Sequence, residues 1–209
     1  MYQHNTYPHN STESSARAFR AAVEMLATSR RRAHLRSRPR TRGATTRLGL
    51  TCGAGQMFMV AEFEGRTSTG SVPAELAHIR RLASDEYETF ADVVGRSFGV
   101  PAEAVARVYT AEVLANPLIG AYVAETTSGL AVAAGAGLLT QSHLGVANVG
   151  TLPEYRGRGY ARVLTEAILR RGKAAGAHTA YLHTDDDTVP FFARLGFTPR
   201  ADQTMLRAA

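Results

Sequence analysis

The 209-residue chain has one cysteine, Cys52. That excludes an internal disulfide framework and any multi-cysteine zinc site, and it fits a reducing compartment, where Cys52 reads as a half-buried small residue. The seven histidines show neither H-x-x-x-H nor H-E-x-x-H spacing, so no metal site is expected. No run reaches the roughly 18 apolar residues that a bilayer span needs. Residues 1–16 lack the apolar core of a secretory signal. These absences lead to the expectation of a soluble, cytoplasmic protein without a membrane partner. Lysine is also nearly missing: every basic residue but Lys173 is arginine, a skew that reads as coding bias rather than a choice of guanidinium chemistry.

What is present is unevenly spread. The net charge of +6 arises in residues 1–50, where ten arginines face only Glu13 and Glu24; the other 159 residues carry 14 basic and 16 acidic side chains. Residues 1–16 are polar and read as disordered. Residues 17–29 place Ala18, Phe19, Ala22, Val23, Met25 and Leu26 near helical spacing, and the arginine-rich stretch after them reads as a solvated linker. Three readings stay open for residues 1–56: a disordered extension, with Met57 as an alternative start; an arm for nucleic acid; and an organelle-targeting peptide. Residues 57–209, at the composition of a normal globular chain, read as one domain.

Within that domain the periodicity alternates between two and 3.6. Strands are expected at Met57–Phe63, as an extra edge strand, and at Ala77–Leu82. Ser84 then offers an N-cap for a helix whose Tyr87, Phe90, Val93, Val94 and Phe98 share a face and which Gly99 ends. Pro101 opens a second helix, about 101–115. Leu118–Thr126 and Ala131–Leu139 flank a Thr-Ser-Gly turn and predict a hairpin. The small residues Ala133–Gly137 suggest a closely packed neighbour. A turn at Gln141–His143, a strand at Gly145–Leu152, a helix to Ala175, a strand at Ala177–Thr184, a short helix at Val189–Leu195 and a last strand at Phe197–Leu206 complete the order. The pattern predicts an α/β (α+β) domain: a mixed, mostly antiparallel central sheet flanked by helices.

The stretch GVANVGTLPEYRGRGYARVL, from Gly145, joins a strand to a helix through an Arg/Gly loop. The open N-terminus of a helix exposes backbone N–H groups and a partial positive charge, so such a loop can wrap a phosphate, with Arg156 and Arg158 adding charge. A dinucleotide fingerprint would need glycine where Arg162 stands, and a P-loop would need Gly-Lys-Ser/Thr, which is absent.

The run Pro153-Glu154-Tyr155-Arg156-Gly157-Arg158-Gly159-Tyr160-Ala161 resembles motif A of the GNAT N-acyltransferase superfamily, Gln/Arg-x-x-Gly-x-Gly/Ala, through Arg156, Gly159 and Ala161. Phe191-Phe192-Ala193-Arg194-Leu195-Gly196-Phe197 resembles the second signature of that family. The resemblance covers roughly residues 77–207. It implies an N-acetyltransferase in which the backbone N–H groups of Gly157, Arg158, Gly159, Tyr160 and Ala161 hold the pyrophosphate of acetyl-coenzyme A, with Arg156 adding charge to the same cradle. Gly150, Thr151 and Leu152 would lie along the pantetheine arm, with Phe192 also beside the coenzyme. It further implies a strand splayed from the next, a thioester carbonyl polarised by a backbone N–H, and direct attack by an amine from a small molecule or peptide.

Two positions depart from the family pattern. The tyrosine that serves as acid to the leaving thiolate aligns with Phe192, and the usual glutamate base aligns near Gly145. His143, His183 and Asp185 are the remaining catalytic candidates, with Tyr160 and Tyr181 behind them. The acidic run Asp185–Asp187 would attract a cationic acceptor. A coenzyme-binding sensor or interaction module without turnover is the alternative, and a homodimer is compatible with either.

Overall fold

The computed structural model describes residues 57–63 and 71–200. The expectations for residues 1–56, including the helix over 17–29 and Cys52, lie outside the described residues, as does the last strand beyond residue 200. Seven strands form one sheet: β1 (Met57–Glu62), β2 (Leu76–Arg81), β3 (Ile119–Thr126), β4 (Ala131–Thr140), β5 (His143–Thr151), β6 (Thr179–Thr184) and β7 (Thr198–Pro199). Their order across the sheet is β2-β3-β4-β5-β6-β1-β7. Every neighbouring pair is antiparallel except β5 with β6, which gives the expected mixed, mostly antiparallel sheet.

One expectation fails on position. β1 is not an edge strand but lies inside the sheet, paired with β6 from Met57↔Thr184 to Glu62↔Thr179 and with β7 on its other side. Its burial explains the preference: Phe58, Met59, Val60 and Ala61 are all buried, so both faces are covered and an edge position would waste them. The other edge is β2, whose exposed residues read as a strand with one uncovered side.

The helices are α1 (Tyr87–Phe98), α2 (Ala102–Ala106), α3 (Ala111–Leu114), α4 (Tyr160–Ala174) and α5 (Val189–Arg194). The single helix expected over 101–115 is two short ones. Thr110 is extended and its hydroxyl accepts the Val113 N–H at 3.2 Å, which starts α3 afresh. The break lets Tyr109 turn inward against Phe90, ring centroids 4.7 Å apart, instead of following the helical stripe. Two apolar layers result. One joins α1–α3 to the sheet through Phe90, Val94, Tyr109, Val123 and Leu138. The other packs α4 on the opposite face through Tyr160, Leu164, Ile168, Val146 and Leu182.

The small residues of β4 have the expected close neighbour. A Cβ at Gly135 would sit 3.1 Å from both Ile168 Cδ1 and Val149 Cγ2, and one at Gly137 would be 3.1 Å from Ile168 Cγ2. The helix α4 therefore lies directly on β4, and this contact carries its N-terminus to the end of β5.

At the opposite sheet edge Arg80 ties β2 to the start of α1. Its guanidinium makes a bidentate pair with Glu86, 2.8 Å to each carboxylate oxygen, and its Nε donates to Glu125 at 3.0 Å. Fully satisfied donors of this kind fix geometry as well as adding energy. Both glutamates hold Arg80 charged well above the ordinary arginine range, with Glu86 the larger cause.

Candidate coenzyme site

The site is built where β5 parts from β6. β5 pairs with β4 from Thr140↔His143 to Ala133↔Thr151, along its whole length. With β6 it pairs only over His143↔Thr179, Leu144↔Ala180 and Gly145↔Tyr181. From Leu182 to Thr184, β6 is engaged on its other side by Met57–Met59 of β1. Between the diverging strands, the β5 edge from Val146 to Thr151 has no strand partner among the described residues, so its backbone donors and acceptors other than Thr151 O, which accepts from Arg156, are open to a ligand.

A bulge sits in this same stretch. The β4–β5 register shifts between Ala134 and Ala136, opposite Asn148, which takes a left-handed φ of 53°. Such a bulge re-aims the backbone next to it, and Asn is among the few side chains that tolerate the conformation.

β5 then leads to the loop. The Leu152 N–H donates to Val132 O at 2.9 Å, a 3-10 turn covers Pro153–Tyr155, and α4 begins at Tyr160. Gly157 and Gly159 have φ of 76° and 89°, a region that other residues enter only at a cost of about 1–2 kcal/mol. Val163 is the first residue of α4 whose N–H reaches a backbone acceptor, Gly159 O at 3.1 Å. The N–H groups of Gly157 through Arg162 have no backbone partner among the described residues. This is a concave set of free donors at the positive end of a 15-residue helix, a fit for phosphate oxygens.

The two loop arginines do not simply point into that cradle. Arg156 donates from Nη2 to Ser97 O at 2.7 Å and from Nε to Thr151 O at 3.2 Å, which latches the last turn of α1 to the end of β5. Arg158 pairs through Nη1 with Glu75 at 3.2 Å, donates from Nη2 to Glu154 O at 3.1 Å, and stacks over the Tyr155 ring at 5.1 Å. Tyr160 is turned into the α4 core, edge-on to Tyr155, and burial pushes its hydroxyl pKa up. Its hydroxyl still lies close enough to Glu75 and Arg158 to be influenced by their charges. Gly150 is pressed by α1: a Cβ there would meet Ser97 Cβ at 2.6 Å.

The remaining candidates are scattered. His143 lies at the closed end of the strand pair, eight residues and so roughly 26 Å along β5 from Thr151. It is buried, with Nδ1 2.6 Å from Thr179 Oγ1, and burial pushes its pKa down. His183 lies on β6 two residues beyond the last β5 pair, on the diverging arm, with its ring 5.0 Å from that of Phe58. Burial pushes its pKa down to about 4, so it is neutral across the physiological range. Asp185 is exposed at the head of the 3-10 turn Asp186–Thr188, where its carbonyl accepts the Thr188 N–H at 3.0 Å. Phe192, on α5, is half-buried and edge-on to Phe191 and Phe197. Tyr181 is buried beside Gly145, at the closed end.

Two participants were not in the sequence reading. Ser97 and Glu75 lie 59 and 83 residues from the arginines they engage, so no local pattern points to them. Thr151 was named, but not its buried hydroxyl, which has no hydrogen-bond partner among the described residues and stands beside the loop. Among the described residues no group of three His, Cys, Asp or Glu side chains could hold a metal, and no helix is long and apolar enough to cross a membrane.

No curated protein matches this sequence. Among solved structures it is similar to a GCN5-related N-acetyltransferase from Kribbella flavida, with 24% identity over 69% of this chain and 54% of that one, and a TM-score of 0.50. The chain thus spans about half the length of that protein. It is also similar to a predicted acetyltransferase with acetyl-CoA from Clostridium acetobutylicum, 18% identical over 62% of this chain and 95% of that one, TM-score 0.54. A third is glucosamine-6-phosphate N-acetyltransferase from Arabidopsis thaliana, 19% identical over 63% and 97%, TM-score 0.51. At these identities the structures support a shared fold. The model of the acetyltransferase (GNAT) family matches residues 78–197, a span that runs from β2 through the splayed strands, the loop and α5. The chain therefore belongs to the GNAT acetyltransferase family.

Proposed function

We propose that this protein transfers an acetyl group from acetyl-coenzyme A to a primary amine of a small molecule or peptide, by direct attack in a ternary complex in the cytoplasm. The observation that carries the reading is the parting of β5 from β6 after Gly145↔Tyr181, with a loop at the end of β5 whose N–H groups have no backbone partner among the described residues. When bound, the coenzyme supplies an activated thioester. The chain supplies the rest. N–H groups of Gly157–Ala161 hold the pyrophosphate, and the free edge of β5 through Gly150–Leu152 bonds the amides of the pantetheine arm. A backbone N–H near the Asn148 bulge would be the donor to the thioester carbonyl oxygen.

The chain needs a proton acceptor for the amine and a donor for the thiolate. Of the three candidates, His183 has the best claim to the first role. It stands on the diverging arm of the strand pair and stays neutral, whereas His143 is held against Thr179 at the closed end. Its depressed pKa makes it a weak base, which suits relay through water to bulk solvent rather than storage of the proton. Phe192 has no proton to give, so the departing thiolate would take its proton from solvent, while the amine nitrogen loses one proton on becoming the amide. Asp185–Asp187 at the same end of the sheet favour a cationic acceptor.

The test is thiol release from acetyl-coenzyme A against a panel of amines, paired with calorimetric binding of coenzyme A. Gly159→Glu puts a carboxylate where phosphate belongs and strains a φ of 89°; binding should be abolished. Undiminished affinity in that variant would remove the coenzyme assignment. Binding without thiol release for any amine would make the protein a coenzyme-binding module instead.

A further inference from the structure

The segment before β2 lies across the coenzyme loop. The side chain of Arg162 donates to Ser71 O, Pro73 Cγ is 4.0 Å from where a Cβ on Gly159 would stand, and Glu75 Oε2 is 3.2 Å from Arg158 Nη1. The backbone of Glu75 is fixed from the other side: its carbonyl accepts the Thr127 N–H, from the β3–β4 turn, at 2.9 Å. The adjoining turn is closed by the Leu76 N–H on Pro73 O at 3.0 Å. The carboxylate is therefore delivered to Arg158 by the sheet rather than by a freely moving loop. The pair is half exposed on both sides, 50% and 56%, so water and competing anions reach it. Glu154, only four residues from Arg158 in the chain, has its carboxylate engaged elsewhere, with Arg96 at 2.9 Å.

We propose that Glu75 is a built-in competitor for the coenzyme pyrophosphate: its carboxylate holds the Arg158 guanidinium until a phosphate oxygen displaces it. The inference rests on the coenzyme reading above. A phosphate oxygen and the Glu75 carboxylate are the same kind of ligand for a guanidinium, acceptor-only and anionic, and Arg158 already spends its Nη2 on Glu154 O. The exchange breaks one ion pair to form another. Because the acetylated donor and the free coenzyme carry the same pyrophosphate, the competition weakens both equally. It raises the dissociation constant of the product as much as that of the substrate, and so favours turnover where product release is slow.

The experiment is calorimetric titration of the full chain with coenzyme A and, separately, with inorganic pyrophosphate. Glu75→Gln should tighten both by about two- to fivefold, the scale of an exposed ion pair. The gain should disappear when Arg158→Ala is also present, and Glu154→Gln should leave affinity within about twofold of the parent. An unchanged or weaker Glu75→Gln, or an equal gain from Glu154→Gln, overturns the proposal and leaves the coenzyme reading standing. If the parent chain binds neither probe, the coenzyme reading fails and takes the proposal with it. Thermal melts of each variant check that the fold is retained.

Discussion

Replacing Gly150 by alanine tests whether α1 and the end of β5 are one packed unit. The added Cβ would lie 2.6 Å from Ser97 Cβ, 3.0 Å from Ser97 Oγ and 2.9 Å from Phe98 Cε2. Phe98 is 55% exposed and can swing away. Ser97 is 7% exposed in the last turn of α1, and its Cβ moves only with the helix. Ordinary carbon contacts are about 3.5–4.0 Å, so the end of α1 must retreat by about 1 Å. Overpacking of this kind costs about 1–3 kcal/mol. The retreat also stretches the 2.7 Å bond from Arg156 to Ser97 O, part of a charged hydrogen bond worth about 1.5–3 kcal/mol.

The expected total is about 2–4 kcal/mol, or a fall in Tm of about 4–16 °C for a chain of this size. Urea unfolding should show a lower midpoint with an unchanged slope. The decisive measurement is the cycle with Ser97→Gly. That change alone costs about 0.5 kcal/mol through helix propensity but removes the atom in the way, so the double variant should recover at least about 1 kcal/mol over the additive sum. Additivity within about 0.5 kcal/mol, or no change of midpoint in Gly150→Ala, would refute the claim that the glycine is there for the helix.

The pKa of His183 is lowered on folding, so between its ordinary value of 6.5 and about 4 the unfolded chain binds a proton that the native chain does not. Its contribution is complete above pH 6.5 and is lost as pH falls toward 4, about 1–3 kcal/mol in all; the stability difference between parent and His183→Gln should narrow over that window, and a flat difference would contradict the burial. Arg80→Ala strips Glu125, whose side chain is 11% exposed, of its guanidinium and leaves it only His78 at 2.8 Å. The loss should be about 2–4 kcal/mol by urea unfolding, with Arg80→Lys recovering less than half, since an ammonium cannot make the bidentate pair with Glu86. A loss below about 0.5 kcal/mol would mean that the network is only a surface feature.

The strand-loop-helix around residues 145–175 was legible because its information is local. The glycines at positive φ, the helix stripe of Val163, Leu164, Ala167 and Ile168, and the Leu-Gly-Phe run all act within a few residues of where they are written. The hairpin of β3 and β4 was legible for the same reason. The split of the helix over 101–115 was not, because Val105, Val108, Tyr109 and Val113 fit one helix as well as two. What separates them is the extended Thr110, whose hydroxyl caps the second helix, with Tyr109 just before it packed on Phe90 of another element. β1 was read as a strand but wrongly placed at an edge, since an apolar run reports burial and not which neighbours provide it.

By itself, then, the sequence determined the family, most of the order of elements and the presence of a glycine-containing loop at the head of a helix, all carried by short-range spacing. Tertiary structure decided how that loop is wired. It gave Arg156 to Ser97, Arg158 to Glu75, and Gly150 to the approach of α1, through contacts across 53 to 83 residues that no local pattern encodes. It also set His143 and His183 apart, one at the closed end of the strand pair and one on its open arm, because pairing between β5 and β6 stops after three residues. Where two strands part is a property of the whole sheet, and β1, engaging β6 from the far side, is part of what decides it.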